Sequence, residues 1–181
     1  MTSLVREATV GDAQGIAEVH VRTWQAAYRG LLSDDELNGL SVEARAEFWT
    51  ALLAQGKSTG FTLVAEDGDQ VVGFCSVVAP ARDEDLGPRA CEVAAIYVDP
   101  RRWRSGVGTS LLDAAVRRLD DGGWEEATLW VLDDNPRARG FYTKHGFTPD
   151  GALRRDADDD PPEVRLRRWL LSAATERRAG R

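Results

Sequence analysis

The chain predicts an α+β fold, a mixed sheet with helices on both faces, from three observations. Two strand-like runs, Phe61 to Glu66 and Val71 to Val78, arrive first as a hairpin joined by Asp67-Gly68-Asp69-Gln70. Later strands alternate with helical stretches, as in a sheet that takes crossovers. With 181 residues, 43% of them hydrophobic, and no internal repeat or long linker, the chain can bury one sizeable core. Residues 1–172 therefore read as one domain, followed by a flexible tail from Ala173 to Arg181.

Leu4 to Ala8 reads as the first strand, and Thr9-Val10-Gly11-Asp12 resembles a capping box that starts a helix through about Tyr28. Ile16, Val19, His20, Thr23, Trp24 and Ala27 recur there at helical spacing. Gly30 and Ser33-Asp34-Asp35 interrupt the helix. A second one covers Val42 to about Ala54 through Ala46, Trp49, Leu52 and Leu53, and the stretch from Gly56 to Gly60 ends it. After the hairpin, Ala90 to Val98 forms a third strand-like run, and Val107, Leu111, Leu112, Ala115, Val116 and Leu119 mark the buried stripe of a third helix. Leu129 to Leu132 is a short apolar strand. A helix follows, capped by Asn135, with Pro136 in its first turn and its end near Gly146. Val164 to Leu171 returns as the last strand after an Asp/Pro-rich loop.

A net charge of −7 argues against a general nucleic-acid surface, which needs clustered lysine and arginine, and suits a cationic partner better. The acidic stretches Asp83-Glu84-Asp85 and Asp156 to Asp160 read first as solvated loops. No apolar run approaches the roughly 20 residues that span a bilayer, and the N-terminus lacks the basic-then-apolar order of a signal peptide. The expectation is a soluble, cytoplasmic protein with no membrane partner. Cys75 and Cys91 read as buried thiols rather than a disulfide. His20 and His145 lack any spacing that would build a metal site, so no metal is expected.

The most informative segment is C-E-V-A-A-I-Y-V-D-P-R-R-W-R-S-G-V-G-T-S-L-L, Cys91 to Leu112. The strand stops at Pro100, which has no amide hydrogen, and Gly106 and Gly108 leave N–H groups uncovered where a helix dipole favours anions. Arg101, Arg102 and Arg104 add positive charge suited to phosphate oxygens. The P-loop pattern is absent, and the dinucleotide fingerprint would need glycine at Leu111. A helix start whose glycines merely permit tight packing is the alternative.

The second segment is N-P-R-A-R-G-F-Y-T-K-H-G-F, Asn135 to Phe147. Ala138, Phe141 and Tyr142 share its inner stripe, whereas Arg137, Arg139 and Lys144 are expected to stay solvated. Together with V-D-P-R-R-W-R-S-G-V-G-T-S-L-L, in this order, it resembles the GNAT superfamily of acetyl-CoA-dependent N-acetyltransferases. The opening V-R-E-A-T-V-G-D-A looks like the family too, so the resemblance spans roughly residues 4 to 170. It implies the GNAT fold, a central mixed, mostly antiparallel sheet whose two middle strands splay to admit acetyl-CoA. It also implies that Gly106 and Gly108 hold the pyrophosphate of coenzyme A, with Asn135 near the pantetheine and Tyr142 near the thioester sulfur. The cofactor contacts implied run through Ile96, Tyr97, Val98, Arg102, Trp103, Arg104, Ser105, Gly106, Val107, Gly108 and Thr109, then Asn135, Arg139 and Tyr142. The sequence departs from the R/Q-x-x-G-x-G/A pattern at its first position, which is Trp103.

Acyl transfer from a thioester to an amine needs a neutral amine and a protonated or stabilised leaving thiolate. Strand alternation puts Glu92 on the row of Ala94, Ile96 and Val98, a carboxylate among apolar residues and a candidate base. A salt-bridge partner is the competing reading. Tyr142 is the candidate proton donor, with backbone N–H groups near Val98 for the thioester carbonyl; a packing aromatic is its alternative. Trp24, Tyr28, Trp49 and Trp103 read as core rings without a catalytic role. The expected activity is direct acetyl transfer from acetyl-CoA to a primary amine. A non-catalytic acyl-CoA sensor and a nucleotide-binding protein are the alternatives. The acceptor is left open, and so is the oligomeric state; many related enzymes pair through sheet edges, as a homodimer would here.

Overall fold

Residues 4–56, 60–155 and 161–170 are described by the computed structural model. The acidic stretch from Asp156 to Asp160, the tail from Ala173, and Leu171 lie outside them. Contacts divide the chain into two compact units, Met1–Val77 with Ala95–Ala115 and Val78–Ala94 with Val116–Arg181.

In the first unit, β1 (Leu4–Glu7) runs antiparallel to β2 (Gly60–Asp67), with Leu4 opposite Glu66 and Glu7 opposite Leu63. The capping signal after β1 is real: the Thr9 amide and hydroxyl both donate to Asp12 Oδ2, at 2.7 and 2.9 Å. A 3-10 turn (Val10–Asp12) then leads into α1 (Ala13–Ala27). Arg6 reaches the same Asp12 carboxylate at 2.7 and 2.8 Å and also bonds Glu66 of β2, so one guanidinium ties strand, sheet and helix start together.

α1 is interrupted where expected, and Ser33-Asp34-Asp35 also starts a short helix, α2 (Asp34–Asn38), whose Ser33 and Glu36 form the reciprocal capping pair. Ser41 then caps α3 (Val42–Ala54) by accepting from the Ala44 amide at 3.1 Å. The core of this unit gathers Ile16, Ala17 and Val19 of α1, Trp49 of α3, Val64 of β2 and Phe74 of β3 (Gln70–Val78). The strand order is β1-β2-β3-β4, β4 being Ala90–Val98 and divided between the units at Ala94.

The second unit continues from β4 in the order β4-β5-β7-β6. Ala90, Cys91 and Glu92 run parallel to the start of β5 (Glu126–Leu132), as a helical crossover requires. The crossover helix α4 (Val107–Asp121) buries the whole stripe expected of it, from Val107 to Leu119. β5 begins three residues earlier than its apolar run, because Glu126 is held by Arg167 of β7 (Glu163–Trp169), with Nε donating at 2.9 Å. β6 (Thr148–Arg154) was not expected at all. Its Pro149, Asp150 and Gly151 read as turn residues, yet it lies at the edge beside β7 alone, where proline and a register shift between Pro149 and Leu153 are tolerated.

Cys75 and Cys91 are free, and burial pushes both thiols up to about 12. Among the described residues no helix is long and apolar enough to cross a membrane.

Candidate active site

The site is built outward from the end of β4. Val98 gives its carbonyl to two donors, the Thr23 hydroxyl of α1 at 3.0 Å and the Trp103 indole at 2.8 Å. Asp99 follows, buried, with its amide donating to Val72 O at 2.9 Å. Its carboxylate accepts from the Arg101 amide at 3.0 Å and from Arg101 Nε and Nη2 at 3.0 and 2.7 Å, and Arg22 Nε lies 3.0 Å away. A carboxylate so placed caps the 3-10 turn Pro100–Arg102 and fixes where the chain leaves the sheet. Sequence reasoning missed Asp99, although an Asp before a Pro is a helix-start signal.

The chain then reverses through two left-handed residues, Arg104 at φ 62° and Gly106 at φ 90°. Glycine adopts this conformation freely, whereas a non-glycine residue is strained there by about 1 kcal/mol or more. The Ser105 hydroxyl donates to Arg102 O at 2.6 Å across the reversal. The first bond of α4 runs from the Ser110 amide to Gly106 O at 2.9 Å, so the N–H groups of Val107, Gly108 and Thr109 have no acceptor within the helix. Gly106, Ser105 and Thr109 are exposed, and a side chain added at Gly106 would meet nothing within 4 Å. These amides without an intrahelical acceptor lie at the positive end of a 15-residue helix, a geometry that favours an anion.

Arg101 is held bidentate by Asp99 and Arg102 pairs with Asp67, so neither stands as an unpartnered cation beside these amides. Gly73 of β3 explains how α4 seats so close: a Cβ there would lie 3.0 Å from Leu111 Cδ1, 3.1 Å from Tyr97 O and 3.1 Å from Val107 Cγ1. The Tyr97 side chain is committed to an aromatic cluster, its ring 5.1 Å from His20 and 5.5 Å from Phe74. In that cluster His20 Nδ1 accepts from the Trp49 indole at 3.3 Å, and burial, then the Arg45 charge, pushes His20 down to about 4. Its Nδ1 lone pair is thus occupied and its basicity lowered, both of which argue against a catalytic base.

Arg6 hydrogen bonds hold Asp12 at about 2, and Arg101 hydrogen bonds do the same for Asp99, against an ordinary 3.8. Both values are depressed on folding. Their stabilisation is therefore complete above about pH 4 and is lost as pH falls through about 2, roughly 2 kcal/mol for each carboxylate. Urea unfolding at pH 7, 4 and 2.5 should show that loss below pH 4; a flat profile there would refute it.

The remaining residues predicted from sequence lie in the second unit. Asn135 caps α5 (Pro136–Lys144), its Oδ1 accepting from the Ala138 amide at 3.0 Å. Arg139 stays partly solvated as expected, while its Nη1 donates to Asp133 O at 3.0 Å and pairs with the Asp133 carboxylate. Tyr142 is half-buried, with its ring 5.3 Å from Phe141 and 6.0 Å from the fully buried Phe147. Glu92 is buried on β4, and Arg82 binds its carboxylate through two nitrogens, Nε donating to Oε2 at 2.8 Å.

The acetyltransferase (GNAT) family model matches residues 20–147. The uncharacterized N-acetyltransferase YuaI of Bacillus subtilis is 34% identical over 133 residues, 73% of each chain. A mycothiol acetyltransferase of Acidimicrobium ferrooxidans is 35% identical over 158 residues, 78% of this chain but only 46% of that protein, so the chain spans about half of that relative. Among solved structures, the PaiA N-acetyltransferase of Thermoplasma acidophilum in complex with coenzyme A shares the fold, with a TM-score of 0.77 at 20% identity over 94% of this chain and 100% of that one. A family match across more than half of the sequence, on a chain whose crossover helix opens in an amide cradle, leads to one conclusion: the chain belongs to the GNAT family of N-acetyltransferases.

Proposed function

We propose that this protein transfers an acetyl group from acetyl-CoA directly to a primary amine, with both substrates bound together. The observation that carries this reading is the left-handed reversal through Arg104 and Gly106, after which three successive amides at the start of α4 have no acceptor within the helix. A pyrophosphate fits such amides because their partial charge is already oriented, with no side chain to order first. Thr109 and Ser105 add hydroxyls at its rim. Ile96 and Val98 supply the β4 segment along which the pantetheine arm would run, and the Val98 amide would hold the thioester carbonyl. Asn135 and Arg139 are the proposed contacts from the second unit.

The proton problem lies mainly with the amine, whose conjugate acid titrates near ~10.4, against ~8.5 for a thiol. Glu92 accepts that proton as nitrogen bonds to the acetyl carbon. The carbon–sulfur bond breaks, the nitrogen releases its second proton to solvent, and Tyr142 gives its phenolic proton to the departing thiolate, to be replaced from solvent. Tyr142→Phe should leave the Kd for acetyl-CoA unchanged and lower kcat by about 100-fold. An unchanged kcat would remove Tyr142 from this role.

Release of free thiol from acetyl-CoA, measured against a panel of small amines, polyamines, aminoglycoside antibiotics and peptide N-termini, tests the whole reading. Turnover with one of them is the expected result. Tight acetyl-CoA binding with no thiol released for any acceptor would instead favour an acyl-CoA sensor.

A further inference from the structure

Glu92 and Arg82 are an unequal pair. The Glu92 side chain is 3% exposed and sits on a strand, whereas the Arg82 side chain is 61% exposed and sits on the loop between β3 and β4. Arg82 covers the carboxylate through Nε and Nη2, the two-pronged geometry that leaves neither carboxylate oxygen to another cation. Burying a carboxylate without a positive partner is strongly unfavourable, so the pocket needs a cation when no substrate is present. The guanidinium has no such constraint, since it can return to water.

The other charges around this pair do not offer that cation. Thr128, opposite Glu92 on β5, is neutral and donates its hydroxyl to Cys91 O at 3.1 Å. Glu126, two residues before Thr128 on β5 and opposite Ala90, is already held by Arg167. Asp83, next to Arg82, strengthens the positive charge of the guanidinium and accepts from the Trp130 indole at 3.1 Å.

We propose that Arg82 is a resident stand-in for the acceptor: the amine arrives as its ammonium ion and displaces the guanidinium from Glu92. The inference rests on the reading of Glu92 as the base. It explains how a buried carboxylate can be partnered at rest yet be reached by substrate. It also defines the acceptor class as amines that are cationic at the working pH. One cation replaces another of equal charge, so the exchange leaves the net charge of the pocket unchanged, and the ammonium then gives a proton to the carboxylate it has reached. Arg82 is thus a positioning residue, acting through Glu92 and touching neither reacting atom.

The test compares wild type with Arg82→Ala and, as the variant that keeps a charge and protects folding, Arg82→Lys. KM for the amine should fall by about tenfold in Arg82→Ala and by less in Arg82→Lys, with kcat and the Kd for acetyl-CoA within about twofold of wild type. Methylguanidinium should compete with the amine and not with acetyl-CoA. By calorimetry, which needs no turnover, it should bind Arg82→Ala at least about tenfold more tightly than wild type, and Glu92→Gln should abolish the gain. An amine KM that is unchanged or higher in both variants, or equal methylguanidinium affinity in wild type and Arg82→Ala, overturns the proposal. Failure of wild type to acetylate any amine would instead sink the transferase reading, while the calorimetric comparison still decides the exchange.

Discussion

Replacing Arg165 with alanine should lower the thermal midpoint by about 10 °C. Arg165 is nearly fully buried on β7 and makes a fan of contacts: Nε donates to Asp150 at 2.7 Å, and Nη1 and Nη2 donate to Asp85 at 2.7 and 2.6 Å. Its guanidinium also lies 5.5 Å from the centre of the Trp130 ring, whose other neighbour is Arg154 at 4.5 Å. Asp150 is as buried as Arg165, both side chains being 6% exposed. Truncation therefore leaves a carboxylate without its cation in a dry place, a loss of about 3–5 kcal/mol. At roughly 2–4 °C per kcal/mol for a chain of this size, calorimetry at pH 7 should register it clearly. The double variant Arg165→Met with Asp150→Leu should recover much of the loss, because it removes both charges together. A single-variant shift under about 2 °C would show that water reaches Asp150 and that the fan contributes little.

Replacing Gly106 with valine should weaken acetyl-CoA binding by roughly ten- to a hundredfold with little rearrangement elsewhere. A β-branched residue at φ 90° is strained by about 1–3 kcal/mol. The turn relaxes by turning this residue back toward negative φ, which swings the first amides of α4 away from their common direction. Each 1.4 kcal/mol of lost binding is tenfold in Kd. The added side chain meets nothing within 4 Å, so steric damage to the core does not confuse the result. Titration calorimetry with acetyl-CoA reads the change. An unaltered Kd would mean that the anion is gripped somewhere other than these amides.

The elements that were legible from the residues alone share one property: their signals are local. The buried stripe of α4, the Thr9–Asp12 start of α1, the Asn135 cap of α5 and the glycine pair at the cradle all lie within a few positions of the structure they determine. Even α2 was written in a local code, a Ser33 and Glu36 capping pair that read as an interruption only because so few apolar residues follow. β6 was not legible, because Pro149 and Gly151 oppose a strand locally and only its pairing with β7 overrides them.

Residue patterns alone were enough for the α+β order of elements, the family resemblance and the place of the glycine turn that starts α4, since helix periodicity, caps and glycine positions act over one or two turns of chain. Tertiary structure alone decided how the charges are used. Arg102 goes to Asp67, 35 positions away, Arg165 to Asp85 at 80, and Arg82 closes over Glu92. Ion pairs of this kind are chosen by which carboxylate the fold leaves buried, and burial is a property of the packed molecule rather than of any segment.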